Sequence, residues 1–144
     1  MDQSCEEIKQ MIFMFKNIDR QVTQNFEKRT GISLTRYEIL YTLLKCGQLS
    51  QIELQKKLKI DQAAITRHLK ILEEKDFVFR NRNKQNNREV IVEITDRGKG
   101  ILENCDSNRK QFFDELFHNF TTKEIQELQI MLKKLMDNSD KPHC

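Results

Sequence analysis

Residues Ser50 to Leu72, SQIELQKKLKIDQAAITRHLKIL, leave this chain little freedom in its local structure. Ser50 with Glu53 is a capping box, in which each side chain takes the other's backbone N–H. Leu54 and Leu58 follow on one helical face. Lys59-Ile60-Asp61 is too short for a loop, and the Asp61 carboxylate suits a second helix start. From there Ile65, Leu69 and Leu72 repeat at helical spacing as a narrow apolar seam. The opposite face carries Gln62, Ala63, Ala64, Thr66, Arg67 and Lys70. Small residues let a helix approach another surface closely, and the polar ones can bond base edges or phosphates. Such a pair is the make-up of a helix-turn-helix whose second helix enters a major groove. Ser50 and Gln51, at the start of its first helix, are then candidates for phosphate contact. Short amphipathic helix pairs also occur in all-α proteins that never meet DNA, so this stretch alone leaves both readings open.

The residues after it separate the two. Past Glu74 the period changes: Phe77-Val78-Phe79 and Val90-Ile91-Val92-Glu93-Ile94 are rich in β-formers. Between them, Arg80 to Arg88 carries four positive side chains, four Asn and no acid. A solvated loop accounts for the polarity but not for charge of a single sign. The predicted element is a β-hairpin with a basic tip. Its candidate contacts are Arg82, Lys84, Asn86, Asn87 and Arg88. A helix-turn-helix followed at once by such a hairpin is a winged helix, which can place an Arg in the narrow, most negative minor groove. The fold expected is mainly α with a small β-hairpin wing, and double-stranded DNA is the expected partner.

The flanks are helical. Ile8, Met11, Ile12, Phe15, Ile18, Val22 and Phe26 predict one helix from about Glu6 to Arg29, stopped by Gly31. Thr35 with Glu38 is a capping box opening a helix that ends at Gly47. Thr95 caps a long helix from about Asp96 to Asn119. Thr121 with Glu124 opens a last one, where Ile125, Leu128, Leu132 and Leu135 space like a coiled-coil seam. The terminal helices carry more apolar surface than one small domain can cover. Residues 1–33 and 99–144 are therefore expected to be dimerisation helices around a DNA-binding domain at 34–98, in a homodimer. Net charge is only +3, so basic surface must be local. The longest apolar run, Met11–Phe15, is too short to span a membrane. The acidic N-terminus shows no signal-peptide pattern, and a cytoplasmic location is expected.

With those motifs in order, the sequence resembles the MarR family of bacterial transcription regulators. The resemblance rests on Leu34-Thr35 with Leu40, Ser50 to Leu54, Leu58, Ile60-Asp61, Ile65-Thr66-Arg67, Leu72-Glu73 and Ile94-Thr95-Asp96-Arg97-Gly98. It implies a symmetric dimer on a pseudo-palindromic operator, usually a repressor. Release is by a small aromatic effector, by oxidation of a cysteine or by a metal. Two positions depart from the family pattern. The wing's usual Asp-x-Arg is here Asn86-Asn87-Arg88, so the brace on Arg88 is an amide accepting without charge assistance. The usual Gly after the recognition helix is Asp76, which tolerates left-handed backbone.

The family's peroxide-sensing branch keeps a reactive Cys in the first helix, where this chain has Ile12 ahead of Phe13, with Lys16 in place of a Tyr. The candidates for redox chemistry are Cys5, beside Glu6 and Glu7, and Cys105, beside Asp106. Acidic neighbours raise a thiol pKa, which favours incidental thiols. Cys46, near a helix C-terminus, is placed no better for a thiolate. No Cys/His spacing predicts a metal site, and no cofactor is expected. His68 reads as a surface or phosphate-side residue. Tyr37, Tyr41 and the first helix's Phe and Met residues can line an effector pocket, although aromatics at helical spacing are more often core. No catalytic constellation or Gly-rich phosphate loop is present, so an enzyme is not expected. A winged helix that binds a protein without DNA is the remaining alternative, and the all-basic wing argues against it.

Overall fold

A computed structural model describes residues 3–86, 88–103 and 107–140; Asn87 and Cys105 lie outside these. The elements are α1 (Gln3–Thr30), α2 (Leu34–Cys46), β1 (Leu49–Ser50), α3 (Gln51–Leu58), α4 (Gln62–Glu74), β2 (Val78–Arg82), β3 (Val90–Ile94), α5 (Asp96–Glu103), α6 (Ser107–Leu116) and α7 (Thr122–Ser139). The chain divides into two compact units, Met1–Arg109 and Lys110–Cys144.

In the first unit, one core holds the helix-turn-helix and wing together. Ile39, Leu40 and Leu43 of α2, Leu54 of α3, and Ile65, Leu69 and Leu72 of α4 meet Val78 and Val92 of the sheet, all buried. The seam that predicted α4 is therefore the face it buries, leaving its polar face outward. Burial of each such side chain contributes about 1.5–3 kcal/mol. The strands run antiparallel in the order β1-β3-β2. Val78 pairs with Ile94 and Arg82 with Val90, so β2 and β3 form the expected hairpin. β1 was not expected: its Leu49 and Ser50 pair with Val92 and Ile91.

Local chemistry sets the boundaries. Ser50 and Glu53 form the predicted capping box, and Asp61 accepts the Ala64 N–H at 2.8 Å. Between them Lys59 takes a left-handed conformation (φ 55°), and its N–H bonds the Gln55 carbonyl. Asp76 sits at φ 61°, as expected of a residue replacing Gly there. Thr95 accepts the Gly98 N–H and donates to the Asp76 carbonyl. Thr121 and Glu124 form the second capping box expected.

The α2 start differs from expectation. Its N-cap is Ser33, whose hydroxyl accepts the Arg36 N–H; Thr35 lies inside the helix. Gly31 at φ 81° turns the chain so that Ser33 arrives extended, with its hydroxyl over the first turn. The helix expected from 96 to 119 is helical on both sides of residues 104–106, which lie outside the described set, and ends at Leu116, before a turn with Asn119 at φ 67°.

Phe26 is fully buried and packs on Tyr37 at a ring separation of 5.4 Å, anchoring the end of α1 to α2. The Arg109 guanidinium lies 5.0 Å from the other partner in that pair, Tyr37, and donates to the Ile101 carbonyl. The rest of α1 is different: Ile8, Met11, Ile12, Phe15 and Ile18 are all exposed in the single chain. In the second unit, α7 buries no residue, and Ile125, Leu132 and Leu135 stand exposed. No helix among the described residues is long and apolar enough to cross a membrane.

Candidate nucleic-acid interface

The outward face of α4 is an open groove lined by Asp61, Gln62, Ala63, Thr66, Arg67 and Lys70. Five of the six recognition-helix candidates are thereby brought together. Ala64 is not among them: it is half-buried, and its N–H is spent on the Asp61 cap. Asp61 is on the rim, but its carboxylate is turned to that cap.

The groove is pre-organised from α3. Gln51 donates its Nε2 hydrogen to the Thr66 hydroxyl at 3.0 Å, and that hydroxyl donates to the Gln62 carbonyl at 2.8 Å. Thr66 thus has no hydroxyl proton to offer a base and presents its methyl group, the side-chain feature that contacts thymine methyls. Ser50 is placed differently from Gln51. It is buried, 2% exposed, with its hydroxyl on the Glu53 N–H, so it holds α3 in place from inside.

His68 also faces inward. Its Nδ1 lies 3.4 Å from Nη1 of Arg36, whose Nη2 is 3.6 Å from Glu27. One guanidinium thereby joins α1, α2 and α4. Burial holds the imidazole pKa below its usual value, helped by the positive charges of Arg36 and Arg67. The neutral ring can accept from Arg36. A phosphate-side role, which asks for a charged exposed imidazole, does not fit that placement.

The wing is built largely by its asparagines. Asn83 Oδ1 accepts the Gln85 N–H, and its Nδ2 donates to Glu89 at 2.7 Å. Asn86 Oδ1 accepts the backbone N–H of Arg88, not its guanidinium. Arg82, Lys84, Asn86 and Arg88 are all exposed. Among the described residues, the charged ends of Arg67, Lys70, Lys84 and Arg88 have no hydrogen-bond or ion-pair partner.

Arg80, also in the basic segment, is paired. Its Nε and Nη2 donate to the two oxygens of Glu73 at 3.1 and 3.0 Å. The hydrogen bonds from Arg80 hold the Glu73 carboxyl below its usual pKa, and those to Glu73 raise that of Arg80. Neither Glu73–Arg80 nor Arg36–His68 was visible in sequence. Both join residues on different elements, where no periodic spacing applies.

Cys5 is exposed on α1 and Cys46 at the end of α2. Among the described residues, no three His, Cys, Asp or Glu side chains group as a metal site. Tyr41 is half exposed with Lys45 over its ring, and Tyr37 is taken by Phe26 and Arg109.

The MarR family model matches residues 32–90, from the α1–α2 turn to the first residue of β3. The chain is 35% identical over 134 residues to the uncharacterized HTH-type transcriptional regulator YdgJ of Bacillus subtilis, covering 93% of this chain and 82% of that protein. It is 30% identical over 127 residues to the multiple antibiotic resistance protein MarR of Salmonella typhimurium, covering 88% of each. Its fold is similar to that of a mutant MarR from E. coli complexed with operator DNA. The TM-score is 0.78 at 26% identity, over 94% of this chain and 99% of that one.

Proposed function

Since the chain belongs to the MarR family of transcriptional regulators, we propose that it is a homodimeric repressor that reads a pseudo-palindromic operator. One observation carries this: the outward face of α4 and the exposed wing present unpaired cationic side chains on a rigid frame, with the Glu73 carboxylate already paired. Arg67 and Gln62 supply bidentate donors and an amide for base edges in the major groove. Arg88 enters the adjacent minor groove, and Lys70, Lys84 and Arg82 meet phosphates. The E. coli MarR complex with operator DNA supports the same use of the fold.

A second copy accounts for the apolar faces of α1 and α7. Ile8, Ile12 and Ile18 of α1 and Ile130, Met131 and Met136 of α7 are each more than half exposed. Faces of this kind mark interfaces. Twofold symmetry then sets the two recognition helices about one DNA turn apart. Release by a small aromatic effector follows from the family likeness.

Selection of duplexes from a random pool by the purified chain, with and without a panel of phenolic acids, tests this. The expected product is an inverted repeat with half-site centres about 10 base pairs apart, and its yield falls with at least one phenolic acid. An unenriched pool overturns the DNA-reading assignment.

A further inference from the structure

The Glu73–Arg80 pair lies where the helix-turn-helix ends and the wing begins. Glu73 is in the last turn of α4; Arg80 is mid-strand in β2. Side chains alternate along a strand, so Arg80 shares a face with Val78, which is buried in the core. Val78 is the last point on β2 where apolar burial holds the strand to the domain. Beyond it, Phe79 and Asn81 to Arg82 are exposed.

The base of the hairpin has several further ties. The Phe77 N–H bonds the Leu72 carbonyl, the Asp76 N–H bonds the Glu73 carbonyl, and Thr95 bonds both Phe77 and Asp76. All of these lie at or before Phe77, ahead of β2, and further out β3 is also paired with β1 at Val92 and Ile91. Arg80 ties the outer half of β2 to α4. Two parallel hydrogen bonds fix the plane of the guanidinium as well as its distance. One hydrogen bond is a pivot, whereas two resist rotation of the hairpin about its base.

We propose that Glu73 and Arg80 are positioning residues for DNA reading: their bidentate pair sets the angle of the wing against α4, so that Arg67 and Arg88 reach adjacent grooves together. The proposal rests on the DNA-reading function of the preceding subsection. Arg80 thereby leaves the set of phosphate contacts, although it belongs to the basic run of the wing.

Glu73→Gln separates the two roles. If Arg80 touched phosphate, removing the carboxylate would free it and remove a repulsive charge, and DNA binding would hold or tighten. A positioning pair predicts the reverse, a loss of about fivefold in affinity at fixed salt, although a negative charge has gone. The second measurement is a cycle with Arg88→Ala. In the wild-type background that change costs about tenfold in affinity; in the Arg80→Met background it costs less than about threefold, because Arg88 is no longer held in place. Unchanged or tightened binding by Glu73→Gln, or equal costs of Arg88→Ala in both backgrounds, overturns the positioning role. A wild-type chain that binds no selected duplex in the same titration overturns the DNA-reading function itself, and is distinguishable because it precedes any variant.

Discussion

The side-chain oxygen of Asn86 accepts the backbone N–H of Arg88 at 3.2 Å, and the Arg88 guanidinium has no partner among the described residues. The rest of the Asn86 amide is a donor, which cannot bond a guanidinium. A carboxylate in its place would keep the backbone bond and offer a charged acceptor to Arg88. Asn86→Asp is therefore expected to raise affinity for the selected duplex by about two- to fivefold, the range of an exposed ion pair. Fluorescence anisotropy at fixed salt measures it. Weaker binding would show that the added negative charge outweighs the brace.

Gly98 and Gly100 should respond to alanine in opposite ways. A Cβ at Gly98 would collide with the Phe77 carbonyl oxygen and come within 2.8 Å of Ile94 Cγ1; at Gly100 it meets nothing within 4 Å. Gly98→Ala is expected to cost about 1–3 kcal/mol by overpacking. Gly100→Ala, inside α5, should stabilise by up to about 1 kcal/mol. Urea unfolding of both variants checks this, and equal midpoints would contradict the close approach of α5 to the wing's base.

His68 predicts a pH-dependent share of stability. Its folded-state pKa lies below the ordinary imidazole value because of burial, Arg36 and Arg67. The unfolded chain thus binds the proton first as pH falls. The contribution is complete above about pH 6.5 and is lost as pH drops through the lower folded-state value. Between about pH 7.5 and about pH 5, the thermal midpoint of the wild type should fall further than that of His68→Gln. Parallel profiles would remove His68 from the account.

The proposed dimer should fail when the apolar faces of α1 and α7 are charged. Ile12 is 54% exposed on α1 and Leu132 is 41% exposed on α7 in the single chain. Ile12→Glu or Leu132→Glu puts a charge where a second copy is expected to pack, which is costly without a partner. Sedimentation should show a dimer for the wild type and a monomer for at least one variant. A monomeric wild type would contradict the assembly.

Features set within three or four residues were legible in sequence. Ser50 with Glu53, Asp61, Thr121 with Glu124, and the Ile65–Leu69–Leu72 seam all appear where local chemistry puts them. Ser33 was missed in favour of Thr35 because the choice depends on how Gly31 delivers the chain, not on side-chain preference. β1 was missed because two residues have no period; Leu49 and Ser50 become a strand only through Val92 and Ile91. At the candidate interface the residue types were legible and their partners were not. Asn-rich composition marked the wing as polar. Only the folded chain shows Asn83 and Asn86 shaping the tip, and Arg80 turned away from it onto Glu73.

In the proposed function Arg67 and Arg88 read one duplex together. The most direct test is an anisotropy titration of the selected duplex with wild type, Arg67→Ala and Arg88→Ala across a salt series, alongside their thermal midpoints. Each variant should bind about tenfold more weakly or worse, with its midpoint unchanged. Log affinity should fall against log salt with a slope of about 0.9 per phosphate contacted. Wild-type affinity in both variants, or binding that ignores salt, would contradict the account.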